Sequence, residues 1–175
     1  MFAHMEKPNI HTFLIVRKFM TSQDTLLCIT EESLQDFQIY HYTKRVVVLF
    51  TRKSVRKKEC LNIINNPNVL RTYEHIIVIG LSVSKLSSTL LQKHNIEFVH
   101  CSLVDFNRNQ HILVPKYIIL SPEEKQKVCQ RFKCNSQHFP IILSTDPQVI
   151  YLGAKHGNFL HNTQDNVYRV VQRTA

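Results

Sequence analysis

The chain has 175 residues, 43% of them hydrophobic, with a formal net charge of +9 and a sequence pI near 9.5. That length fits one or two small domains with true cores, and the charge implies an anionic partner or an acidic neighbour in an assembly. The longest apolar runs, Val46 to Phe50 and Ile76 to Ile79, fall far short of a membrane span, and no signal-peptide pattern is evident; a soluble, intracellular protein without a membrane partner is expected.

After a polar start, Phe13 to Met20 has the spacing of a short amphipathic helix, and Thr30 to Phe37 reads as a second, with Thr30 as its cap. Lys44 to Phe50 contains Val46-Val47-Val48-Leu49-Phe50, whose length and β-branching mark a buried strand. Val55 to Asn65 predicts a helix with Leu61 and Ile64 inward, ended by Asn66-Pro67. His75 to Gly80 is a second buried strand, and Ser84 to His94 a helix with Leu86, Leu90 and Leu91 on one face. Glu97 to Cys101 completes the series as a third strand. Strand–helix–strand–helix–strand at this spacing predicts a parallel sheet with helices packed on it. The polar stretch Asn107-Arg108-Asn109-Gln110 sets a boundary near Phe106 to Gln110. The expected fold class is α+β overall: an α/β domain (βαβαβ) over residues 1–108, then a small α+β domain over 109–175.

The second half is punctuated by turn and cap signals. His111-Ile112-Leu113-Val114-Pro115-Lys116 opens it. Ser121-Pro122-Glu123-Glu124 is a helix start: Ser121 caps the free N–H groups, Pro122 suits the first helical position, and Glu124 completes a capping box. Val128 and Phe132 lie one turn apart on one face of that helix, which should stop near Lys133, before Asn135, Ser136 and Pro140. Asp146-Pro147 repeats the start signal, predicting a short helix over 147–152 closed by Gly153. Lys155-His156-Gly157 then predicts a tight turn into a strand.

Four of these pieces stand in a telling order: H-x-L-V-P-K at His111 to Lys116, the capped helix from Ser121, the Pro140…Asp146-Pro147 turn, and L-G-x-K-x-G at Leu152 to Gly157. Together they resemble the C-terminal assembly domain of the fifth subunit of eukaryotic nuclear RNA polymerases, a domain that also makes up the archaeal homologue. The resemblance implies a non-catalytic subunit of a DNA-directed RNA polymerase, without a cofactor, docked on the largest subunit and among other polymerase subunits. The interface residues so implied are His111, Leu113, Val114, Pro115, Pro140, Asp146, Pro147, Gly153, Lys155 and Gly157, several of them fixing the docking surface rather than touching the partner.

The order of elements in the first half also resembles the family's N-terminal jaw domain, which the archaeal homologue lacks. In the family the jaw lies along downstream duplex DNA and presents a Thr-Pro-Ser loop after its middle strand. The corresponding segment here is Leu81-Ser82-Val83-Ser84-Lys85, with Val83 where the proline would stand. Ser82, Ser84 and Lys85 are the DNA-facing residues so implied, in a contact expected to be weak and made only within the complex. Two further departures mark the second half. The family's Arg after its Pro140 equivalent is replaced by Ile141, and its Arg-Pro-Ser-x-Thr-Ala-Gly loop is collapsed to Asn162-Thr163-Gln164-Asp165-Asn166 before Val167. Such trimming is expected of a divergent copy, for instance one encoded by a large DNA virus. The location implied is the nucleus for a cellular protein, and the host cytoplasm, virus factory or virion for a viral one.

Lys44, Arg45, Arg52, Lys53, Arg56, Lys57 and Lys58 form a run with no acidic residue between them. It can follow a phosphate backbone by charge, or be a solvated face or pair with an acidic protein surface. It carries no aromatic stacking set and no base-reading motif. A stand-alone basic nucleic-acid-binding protein is therefore the alternative function, with Arg52, Lys53, Arg56, Lys57 and Lys58 as its contacts. A nuclease needs converging carboxylates and a lysine, and the strands offer only Glu97 near one end. The cysteines, Cys28, Cys60, Cys101, Cys129 and Cys134, are odd in number and lie mostly in apolar stretches, so buried thiols are expected. Cys129, Cys134 and His138 match no standard zinc spacing.

Overall fold

Runs of consecutive β-branched residues have no polar face to offer water and must be covered on both sides. In the computed structural model, which describes residues 9–19, 27–29, 34, 36–42, 46–105 and 111–173, two such runs form the middle of a sheet. The chain divides into two units, residues 1–106 and 107–175, and each mixes strands with helices.

Along the first unit run α1 (Ile10–Val16), β1 (Leu27–Ile29), β2 (Gln38–Tyr42), β3 (Val46–Phe50), β4 (Ser54–Val55), α2 (Lys57–Ile64), α3 (Pro67–Leu70), β5 (His75–Gly80), β6 (Ser82–Val83), α4 (Lys85–Lys93) and β7 (Ile96–His100). The main sheet has the order β1-β2-β3-β5-β7. β3, β5 and β7 are parallel, whereas β1, β2 and β3 are successively antiparallel. The sheet is therefore mixed, not wholly parallel as the sequence predicts. β2 escapes sequence reading because Gln38-Ile39-Tyr40-His41-Tyr42 has a single β-branched residue, Ile39, and neither an apolar run nor a sustained alternation. Most of the helix predicted over Thr30 to Phe37 lies outside the described residues.

On one sheet face, Val47, Leu49, Ile76, Val78 and Ile96 pack with Cys60 and Ile63 of α2, Val69 of α3 and Leu91 of α4. Glu97 points to the other face and receives both guanidinium nitrogens of Arg17, at 2.7 and 2.8 Å, which sets α1 there with Phe13 and Leu14 fully buried. Two helix faces differ from expectation. In α2 the inward stripe is Cys60 and Ile63, leaving Leu61 exposed; in α4 it is Ser87 and Leu91, leaving Leu86 80% exposed. The predicted helix from Val55 starts only at Lys57, because Val55 is taken into β4. α1 stops at Val16, short of the predicted Met20, with Lys18 at φ 60.

The second unit contains β8 (Tyr117–Ile119), α5 (Pro122–Phe132), β9 (Ile141–Leu143), α6 (Pro147–Leu152), β10 (Phe159–Asn162) and β11 (Val167–Gln172), in the sheet order β8-β10-β11-β9. β9 runs parallel to β11 and the other pairs are antiparallel. Alternation along β10 and β11 sends Phe159 and Val170 toward Val128 and Cys129 of α5, and Leu160 and Val171 toward Val149 and Leu152 of α6. The four-stranded sheet is thus covered by one helix on each face.

The start and stop signals of this unit act as the sequence predicts. Ser121 Oγ accepts from the Glu124 amide (3.2 Å) while Glu124 Oε2 accepts from the Ser121 amide (2.7 Å), and α5 ends at a left-handed Lys133. Asp146 Oδ1 accepts from the Gln148 amide (2.8 Å), and α6 ends at Gly153 with φ 69. Gly157 (φ 84) turns the chain into β10. The three-residue strands β8 and β9 escape sequence reading, since so few residues carry no periodicity.

Candidate functional site

Two segments that sequence reading treats separately are brought together in the first unit. β4 and β6 pair in parallel, Ser54 opposite Ser82 and Val55 opposite Val83, and the Ser82 and Ser54 hydroxyls hydrogen-bond at 2.8 Å. Each strand leads directly into a helix, so the first turns of α2 and α4 emerge side by side. The close approach depends on Gly80, where a Cβ would stand 2.7 Å from Val55 Cγ2. Arg56, Lys57 and Lys58 are thereby set beside Ser82, Ser84 and Lys85.

The basic residues divide by partner. Arg52 pairs with Asp105 at 3.0 Å and lies over the Phe50 ring, and Lys53 pairs with Asp36 at 2.8 Å. The Lys53 ammonium, by hydrogen bond and charge, holds the Asp36 carboxyl below its ordinary range and is itself raised by it. Arg56, Lys57, Lys58 and Lys85 are exposed, and of these Lys58 lies near enough to Asp36 to help hold its carboxyl down. Lys44 and Arg45 lie outside the described residues. A cleft of about 350 Å³ under this ribbon is lined by Lys53 and Arg56 but also by Asp36 and Glu59, so its charges balance and it is not an anion pocket. Ser84 serves the fold, since its Oγ accepts from the Ser87 amide at the start of α4. Glu97 is engaged by Arg17, and no group of three His, Cys, Asp or Glu among the described residues is placed to hold a metal.

In the second unit the turn at His111 is closed by both the backbone and the side chain of that residue. The Val114 amide donates to the His111 carbonyl (3.1 Å), and the Leu113 amide donates to His111 Nδ1 (3.2 Å). That geometry leaves Ile112 85% and Leu113 82% exposed. Gln148, buried at the start of α6, donates from Nε2 to the Pro115 carbonyl at 3.0 Å, which ties the H-x-L-V-P-K segment to the Asp146-Pro147 turn. The shortened β10–β11 turn grips the same segment: the Thr163 amide and hydroxyl both donate to the Lys116 carbonyl, at 2.9 and 3.1 Å.

Other predicted interface residues lie elsewhere on the unit. Pro140 precedes β9, at the opposite edge of the sheet from β8, and its carbonyl accepts from the Val170 amide (2.9 Å). Gly157 donates to the Val171 carbonyl (2.9 Å), and Lys155 is exposed in the preceding turn. Sequence reasoning misses Ile112, the most exposed large apolar residue described, because it occupies the unconstrained position of its motif.

The family described as RNA polymerase Rpb5, C-terminal domain, matches residues 106–171. The chain is similar to the DNA-directed RNA polymerase subunit Rpo5 of Thermococcus kodakarensis, with 39% identity over 56 residues, covering 32% of this chain and 68% of that protein. It is 41% identical over 56 residues to the Rpo5 subunit of Pyrococcus horikoshii, with the same coverage of each. The Rpo5 subunit of Methanosphaera stadtmanae is 41% identical over 70 residues, covering 36% of this chain and 91% of that subunit.

Proposed function

The chain belongs to the family of the fifth subunit of DNA-directed RNA polymerases, and on that premise we propose that it is a non-catalytic subunit whose second unit docks on the largest polymerase subunit. Its first unit, in this reading, acts as a jaw beside downstream duplex DNA. Catalysis of nucleotide addition requires magnesium held by clustered carboxylates, and the acids of this chain are scattered.

The observation that carries the docking is the presentation of Ile112 and Leu113. Two consecutive aliphatic side chains in water forfeit roughly 1.5–3 kcal/mol each relative to burial, and a hydrogen-bonded turn holds them outward. A fixed turn with apolar side chains is a preorganised anchor for an apolar pocket on a partner. The DNA-facing part rests on the exposed cations Arg56, Lys57, Lys58 and Lys85 on one surface.

The test is affinity purification of the tagged chain from its native source, wild type beside Leu113→Asp. Co-purification of the two large polymerase subunits with the wild type, lost in the variant, is expected. Because the Leu113 side chain is 82% exposed, loss of folding does not explain such a result. Recovery of the chain alone overturns the docking. In that event the stand-alone nucleic-acid-binding reading, which the exposed cations favour, is read directly by gel shift with the isolated chain; a subunit binds DNA weakly or not at all alone.

A further inference from the structure

The end of α5 is closed by a turn whose apolar staple is made of two cysteines. Past the left-handed Lys133, the Cys134 amide donates to the Cys129 carbonyl (3.2 Å), and the Lys133 amide donates to the Gln130 carbonyl (3.2 Å). These two bonds fold the residue after the helix back over the one a turn before its end, where an apolar contact between the two side chains normally seals the turn. Here those two positions are Cys129 and Cys134. Both are half-buried, and both pack on the cluster of Phe139, Phe159 and Val170. With nitrogen and oxygen 3.2 Å apart, ordinary bond lengths keep the two Cα atoms within about 7 Å, the outer limit for a disulfide. Both cysteines open onto one surface cleft, lined also by Lys133, Asn135 and His138. No group of three metal-ligating side chains is assembled among the described residues, so what the cleft offers is a pair of thiols.

We propose that Cys129 and Cys134 form a dithiol site that a small disulfide of the glutathione class oxidises to an intramolecular bond. One cysteine thiolate attacks a sulfur of the small disulfide, forming a mixed disulfide and expelling one small thiolate. The second cysteine thiolate then attacks the protein sulfur of that mixed disulfide and expels the other. The two protein thiol protons pass through solvent to the two departing thiolates. Two protein thiols are thereby oxidised to one disulfide, and the small disulfide is reduced to two thiols. Lys127, Arg131 and Lys133 are exposed at this end of α5, and no acidic residue follows Glu124 before Asp146, so an anionic reagent meets cations as it approaches. The reduced pair is the apolar staple of the helix end. The oxidised pair is the same staple made covalent, fixing α5 to the chain that leads into the turn over Ser136–His138. The site is independent of the docking and DNA readings.

The experiment uses the purified full chain, reduced and then equilibrated in buffers of graded glutathione to glutathione disulfide ratio, acid-quenched and digested with trypsin. Cleavage at Lys127, Arg131, Lys133 and Lys155 separates the two cysteines, so the bond appears as residues 128–131 joined to 134–155 and released by reduction. That joined pair is expected as the first disulfide to form, at ratios where the buried Cys60 and Cys101 stay reduced. The same titration in concentrated urea reads what the fold contributes. Closing this short loop on native geometry should raise the oxidation constant roughly ten-fold or more over that of the unfolded chain. Cys129→Ser and Cys134→Ser are each expected to stop at a mixed disulfide on the remaining cysteine. Because the joined peptide is read on wild type, a variant that fails to fold leaves the test intact. Glutathione adducts on Cys129 and Cys134 without the joined pair, a link to Cys28, Cys60 or Cys101 instead, or an equal constant in urea overturns the proposal.

Discussion

Replacing Gly80 by alanine probes the join that brings the first turns of α2 and α4 together. An added Cβ stands 2.7 Å from Val55 Cγ2, about 1 Å inside ordinary carbon–carbon contact, with Lys53 O and Phe98 Cε2 both at 3.3 Å. Val55 has no room to yield: it is 2% exposed, belongs to the core beneath α2, and as a β-branched residue has a stiff χ1. Relief must come from moving the β4 backbone away from β5, which strains the β4–β6 pairing. Overpacking of this kind costs about 1–3 kcal/mol, and for a unit near 100 residues about 2 kcal/mol lowers the melting midpoint by on the order of 10 °C. Calorimetry on the full chain reads the midpoint, and hydrogen exchange of the 50–58 peptide assigns the loss to β4. Val55→Ala supplies the control. It costs stability alone, but in the Gly80→Ala background it removes the offending methyl, so the two changes should couple favourably by about 1 kcal/mol or more. A Gly80→Ala midpoint within about a degree of wild type, or strict additivity of the pair, refutes the claim that steric closeness selects glycine here.

Asp146→Ala removes the acceptor for the Gln148 amide and should destabilise the second unit by about 1 kcal/mol, read by denaturant midpoint, with Asp146→Asn or Ser recovering most of it. Thiol labelling should discriminate among the cysteines. Burial pushes the Cys60 and Cys101 thiols up, so both stay protonated at neutral pH, and the half-exposed Cys129 and Cys134 should react with iodoacetamide before these two when the adducts are mapped by mass spectrometry.

The parts of the fold that sequence reveals are those whose cause is local. Ser121-Pro122-Glu123-Glu124, Asp146-Pro147 and Gly153 contain their own hydrogen-bond solutions, and the helices they bound begin and end accordingly. Val46–Phe50 and His75–Gly80 declare themselves by β-branching. Helix facing is decided by tertiary contacts, and periodicity misplaces it. Leucine spacing points to Leu86 as inward, but α4 rests on the small Ser87, which lets the helix approach Cys60 of α2. The adjacency of Arg56–Lys58 to Ser82–Lys85 is equally invisible, because it follows from a two-residue parallel pairing across 28 positions of sequence.

The interface residues inferred from the motifs separate physically into two kinds. Asp146 caps a helix, Gly153 and Gly157 supply positive φ, Pro115 and Pro140 offer carbonyls to Gln148 and Val170, and each is engaged within the unit itself. Their alteration acts on the shape of the surface. The side chains this frame holds out into solvent are chiefly Ile112 and Leu113, with Ile141 and Leu143 exposed on the edge strand β9. If the second unit docks as proposed, a change at the framework positions should weaken docking and stability together, whereas a change at Ile112 or Leu113 should weaken docking alone. The pattern that makes the family recognisable is mostly frame, and the two exposed aliphatic residues divide between a position the pattern fixes, Leu113, and one it leaves open, Ile112.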